Sequence, residues 1–85
     1  MTLDAMTRAE SEKLPVFETC PEHEVGAFYL WSAFTDEEHT FFVRPSAVAE
    51  SECLADVFGI RDGIVKPLGR ELFVRESGTL RLLED

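Results

Sequence analysis

The feature that most constrains the fold is the stretch Val25-Gly26-Ala27-Phe28-Tyr29-Leu30-Trp31-Ser32-Ala33-Phe34, apolar or aromatic at both alternating phases. Successive side chains on a strand point to opposite faces, so this pattern predicts a strand covered on both sides. Thr35-Asp36-Glu37-Glu38 then supplies a turn. His39 to Arg44, with Phe41, Phe42 and Val43, returns as an antiparallel partner, so the two segments form an aromatic hairpin. An 85-residue chain hides only about two thirds of the surface it exposes unfolded, so some of these rings must be core. One sheet with a single helix covers one face well. The other phase, Tyr29 and Trp31 among it, is therefore expected to lie partly exposed or in a subunit contact, unless an N-terminal helix covers it.

The flanking segments complete an α+β expectation. Met1 to Lys13 carries a short helical pattern, with Leu3, Met6 and Ala9 on one side, which Pro15 ends. So narrow an apolar face leaves this helix prone to fray. Leu14 to Thr19 reads as a first strand, and Cys20-Pro21-Glu22-His23-Glu24 as a polar connection. Pro45-Ser46 opens a helix to about Phe58, with Ser46 as N-cap, Ala47, Leu54 and Phe58 inward, and Gly59 as the stop. Arg61-Asp62-Gly63 and Lys66-Pro67-Leu68-Gly69 are turn signals around Ile64-Val65. Glu71 to Arg75 and Thr79 to Leu83 alternate around Glu76-Ser77-Gly78, a second hairpin. The order α-β-β-β-α-β-β predicts a mainly antiparallel sheet of about five strands. One main helix packs on a face, a short helix precedes it, and residues 1–85 form one domain.

The formal net charge is −9, and it is unevenly spread. Glu10 to Glu52 holds ten acids against two bases, Lys13 and Arg44, whereas Cys53 onward holds six acids against five bases. That distribution argues against direct binding of nucleic acid or an anionic membrane, both of which attract clustered Lys and Arg. No run of eighteen apolar residues occurs, and the start lacks the basic-then-apolar order of a secretory signal, so the expected compartment is the cytoplasm. Cys20 and Cys53 are too few for a disulfide framework and are expected to be thiols.

Two constellations could carry chemistry. Cys20-Pro21-Glu22-His23 is a C-x-x-H unit, and His39 with Cys53 would complete a Cys₂His₂ set for zinc. Structural zinc sites pair their ligands closely, whereas His39 and Cys53 stand alone on different predicted elements. The preferred reading is therefore no metal and no cofactor. Cys20 with His23 is also the one local thiol-base pair, but no phosphate loop, G-x-S-x-G elbow or H-E-x-x-H accompanies it, so no catalytic residue is assigned and the chain is read as not an enzyme. Glu50 and Glu52, two apart on the expected helix, would face different directions.

These observations point to a non-enzymatic acidic protein-binding module, an inhibitor or regulator that occupies a basic surface of its partner. The extreme case is a nucleic-acid mimic set on the Lys and Arg sites of a nucleic-acid-binding protein. The assigned contact residues are Asp36, Glu37, Glu38, Glu22 and Glu24, with Tyr29 and Trp31 as aromatic anchors. In size and charge alone the chain is similar to small acidic phage-encoded inhibitors of bacterial defence. An immunity protein or antitoxin against a basic toxin is the alternative. A small homo-oligomer, a homodimer for instance, that binds a ligand or zinc is the next.

Overall fold

The computed structural model describes residues 6–83. It overturns the expected α+β architecture: the chain is a curled, five-stranded antiparallel half-barrel, and no main helix packs on a face. The elements are α1 (Arg8–Ser11), β1 (Tyr29–Leu30), β2 (Thr40–Val48), β3 (Glu52–Arg61), β4 (Ile64–Glu76) and β5 (Thr79–Leu82). The strands neighbour one another in chain order, β1 to β5.

The helix expected from Ser46 to Phe58 is instead the end of β2, a reversal, and most of β3. Its apolar residues fit both periods, and the sheet decides between them. Cys53, Ala55 and Val57 alternate into one buried cluster, while Phe58 and Ile60 fill a second cluster on the opposite face. A strand apolar on both faces resembles a helix stripe when it is short. Gly59, read as a helix stop, lies within β3 opposite Phe41.

The other corrections concern length. The strand expected over Leu14 to Thr19 reduces to an isolated bridge between Val16 and Leu30, and the Val25 to Phe34 strand to the pair Tyr29–Leu30. The hairpin with β2 survives as Tyr29 opposite Val43 and Leu30 opposite Phe42. Of the N-terminal helix only one turn remains, capped by Thr7, whose Oγ1 accepts from the Glu10 amide at 3.1 Å; its first five residues lie outside the described range. The brief apolar pair Ile64-Val65 begins the thirteen-residue β4, which runs on through Lys66-Pro67-Leu68-Gly69, expected to be a turn.

Two reversals follow their local chemistry. Asp62-Gly63 and Ser77-Gly78 all have positive φ, 52°, 75°, 54° and 79° in that order, the backbone of a type I′ hairpin turn. They set the register Arg61 opposite Ile64 and Glu76 opposite Thr79. Register shifts between Pro45 and Ala47 and between Val57 and Phe58 bend the sheet.

Each face carries a cluster. On one, Phe17, Tyr29, Trp31, Val43, Val57 and Phe73 meet; the Phe73 ring stands edge-on to Phe17 at 4.9 Å and to Trp31 at 5.1 Å. On the other, Met6, Phe42, Phe58 and Ile60 meet, with Phe28 edge-on to Phe42 at 5.6 Å. The segment before β1 thus folds across the sheet and contributes to both clusters. No helix of the described residues is long and apolar enough to cross a membrane.

Candidate functional site

The site residues expected from sequence do not form one surface. Glu22 and Glu24 are exposed near the Pro45 end of β2, where the Gly26 amide donates to the Pro45 carbonyl at 2.9 Å. Asp36, Glu37 and Glu38 lie at the other end, where the Asp36 amide donates to the His39 carbonyl at 2.8 Å. Six residue steps along β2, from the adjoining His39 to Pro45, separate those ends by about 20 Å.

Tyr29 and Trp31 correct the expectation of exposed anchors, being 6% and 5% exposed. Both sit in the cluster with Phe17 and Phe73 because β1 turns that phase onto the sheet. The Tyr29 hydroxyl is also occupied, accepting from the Glu24 amide at 2.7 Å. The ring that reaches the surface is Phe34, 50% exposed and stacked on Trp31 with centroids 4.1 Å apart and planes 14° apart. Sequence reasoning missed it because Phe34 closes the expected strand, where its phase assigned it no surface role.

Phe34 and the acidic loop are held by side chains that bond to backbone. The Glu18 carboxylate, on a residue only 7% exposed, accepts from the Ser32 amide (3.0 Å), the Ser32 hydroxyl (2.7 Å) and the Ala33 amide (2.8 Å). Thr35 Oγ1 donates to the Trp31 carbonyl at 3.0 Å and accepts from the Phe41 amide at 3.1 Å. Asp36 Oδ1 accepts from the Glu38 and His39 amides, each at 2.8 Å. Those two amides, His39 first, hold the Asp36 carboxyl below the usual carboxylate range.

Arg8 completes the clamp: its guanidinium donates to the Asp36 and Glu37 carbonyls, both at 2.6 Å, and to Glu12 Oε1 at 3.0 Å. The loop's own acids are thus divided. Asp36 and Arg8 are committed to its backbone, whereas the exposed Glu37 and Glu38 carboxylates enter no ion pair among the described residues.

Bases of the last third are mostly engaged too. Arg70 Nε and Arg44 Nη2 contact Asp56 at 3.0 and 3.5 Å, and the Arg70 bond chiefly holds the Asp56 carboxyl below its ordinary value. Arg81 pairs with Glu76. Arg75 Nη2 lies 3.2 Å from His23 Nδ1, and His23 Nε2 lies 2.7 Å from the Phe17 carbonyl. A neutral ring protonated on Nε2 satisfies both contacts, donating to Phe17 and accepting from Arg75.

The four candidate metal ligands are not brought together. Cys20 donates its thiol to the Glu22 carbonyl at 2.9 Å, and His23 has both nitrogens occupied. His39 stacks on Phe41 at 5.9 Å, and Cys53 is buried on β3, where burial pushes its thiol up. No group of three or more His, Cys, Asp or Glu side chains that could hold a metal occurs among the described residues. The Cys20 thiol points at a backbone carbonyl, not at a base, which is no arrangement for nucleophile activation. Glu50 and Glu52 are exposed around the reversal between β2 and β3, with the Ala49 amide donating to the Glu52 carbonyl at 2.8 Å.

Beside the acidic loop is a groove of about 520 Å³ across the end of β2, β3 and β4. Phe41, Gly59, Ile64 and Leu68 line it, with His39, Arg61, Asp62 and Lys66 around them. Phe34 stands edge-on to Phe41 at 6.1 Å, so it borders the groove and the acidic loop alike. Searches of family models, curated proteins and solved structures found nothing that matches this chain.

Proposed function

We propose that this protein is a non-enzymatic binding module, an inhibitor or regulator that docks on a basic surface of a partner protein through Phe34, Glu37 and Glu38. The observation that carries this reading is the rigid presentation of a half-exposed ring beside two carboxylates that enter no ion pair among the described residues. Phe34 stacks on buried Trp31, and the loop that follows is tied down by Thr35, Asp36 and Arg8. Interfaces draw most of their affinity from a few well-packed aromatic anchors, and a surface fixed before binding loses little entropy on docking. Carboxylates at the rim steer a cationic partner and speed its approach. A nucleic-acid-binding protein offers such a basic surface, because clustered Lys and Arg are what it uses to meet phosphates.

The test is affinity capture from the native host with the intact protein and two charge reversals at opposite ends. The proposal expects Phe34→Ala and Glu37→Lys/Glu38→Lys each to release the captured partner, with Glu22→Lys/Glu24→Lys retaining it. Rising salt should weaken capture by the wild type. A partner retained by the first two variants and lost with the third would refute this docking surface.

A further inference from the structure

We infer that the groove over Gly59 binds a small amphipathic anion, a compact hydrocarbon carrying one carboxylate. The groove adjoins the acidic loop, sharing Arg61 with the recess beside it, but its ligand does not depend on the partner reading. A volume of about 520 Å³ suits a small molecule. The floor comes from sheet geometry. Phe41, Gly59 and Lys66 are register partners across β2, β3 and β4, so they share one face, and Leu68 joins them at the shift that follows Val57. A Cβ at Gly59 would lie 3.2 Å from Phe41 Cε1 and 3.3 Å from Leu68 Cδ1, so both side chains lie low over bare backbone. Ile64 and Leu68, 62% and 52% exposed, extend this apolar floor toward solvent.

Charge selects the ligand. In a chain of net charge −9, this recess is bordered by two cations, Arg61 and Lys66, against one acid, Asp62. Lys66 has no ion-pair partner among the described residues, and Arg61 meets Asp62 only at 3.8 Å, with both side chains well exposed. Glu37 and Glu38 line a neighbouring recess, and Arg61 belongs to both. A carboxylate at the mouth would meet Lys66 and Arg61, while its hydrocarbon covered Phe41, Gly59 and Leu68. A cation there would meet those two like charges, with Asp62 alone to oppose them.

The probe is decanoate below its micelle concentration, titrated into the purified full chain and followed by amide chemical shifts. Decyltrimethylammonium serves as the matched cation. Saturable shifts centred on Gly59, Lys66 and Leu68, with Glu50 to Glu52 unmoved, are expected, and weaker binding of the cation. Lys66→Glu lies on the surface and should keep the folded spectrum while weakening decanoate about tenfold, the effect of losing roughly one charge contact. Leu68→Ser should weaken both probes. Equal binding of the two probes, shifts spread over the surface without saturation, or an unchanged affinity in Lys66→Glu would each overturn the inference.

Discussion

Residues 14–39 and residues 40–82 solve the same problem in opposite ways. The second region satisfies its backbone through the ladder from β2 to β5, including ten cross-strand partners between β3 and β4. The first has only two strand residues, Tyr29 and Leu30, and where scattered backbone bonds such as Phe17 to Leu30 and Trp31 to Phe41 leave gaps it fills them with side chains: Glu18, Thr35, Asp36, the Tyr29 hydroxyl, His23 and, from α1, Arg8. Buried backbone groups need partners in either case. The difference teaches that acidity in the first region is not all surface charge, since Glu18 and Asp36 serve as backbone acceptors and fewer carboxylates remain free for a partner.

The sharpest way to break this contrast is to separate the regions. Phe73 on β4 contacts both Phe17 and Trp31 of the irregular segment and is fully buried. Phe73→Ala should cost about 3–5 kcal/mol by denaturant unfolding, because the cavity sits where the segment rests on the sheet. Glu18→Ala comes next, at about 2 kcal/mol, since it strips a charged acceptor from two amides and one hydroxyl. Its effect should be local, with Phe34 losing its stack on Trp31, seen as a change in tryptophan fluorescence.

A change of the opposite sign sharpens the comparison from the ladder side. Thr40 is buried at the start of β2, and its hydroxyl has no hydrogen-bond partner among the described residues. Thr40→Val keeps the shape, removes that unpaired group, and should stabilise by about 1 kcal/mol in the same unfolding assay. The smallest expected effect is on pH dependence. Asp36 and Asp56 both titrate below their ordinary value when folded. Their contribution is therefore fully present above the unfolded value of about 3.9 and is lost as pH falls through the lower folded values. Stability measured from pH 7 down to pH 3 should decline less steeply in Asp56→Asn than in the wild type.

Legibility in the sequence divides along the same line. The hairpin of β4 and β5 was readable because Ser77-Gly78 sits between two alternating segments, and Asp62-Gly63 marked a turn for the same reason. The helix over Ser46 to Phe58 was misread because β3 is apolar on both faces, and only the second cluster of Met6, Phe42, Phe58 and Ile60 explains why. In the candidate site, the turn at Asp36 to Glu38 was legible from its residues. The burial of Tyr29 and Trp31 was not, since it depends on Phe17 and Phe73, distant in sequence. Nor was the role of Arg8, whose carbonyl partners lie 28 and 29 residues away.

Amide hydrogen exchange at Ala33 and His39 probes most directly whether side chains hold the irregular region, because their N–H groups donate to Glu18 and Asp36. Slow exchange at both in the wild type, with Ala33 released by Glu18→Ala and the amides of β3 and β4 still protected, is the predicted result. Exchange at Ala33 as fast as in an unfolded peptide, or unchanged by removal of the Glu18 carboxylate, would contradict it.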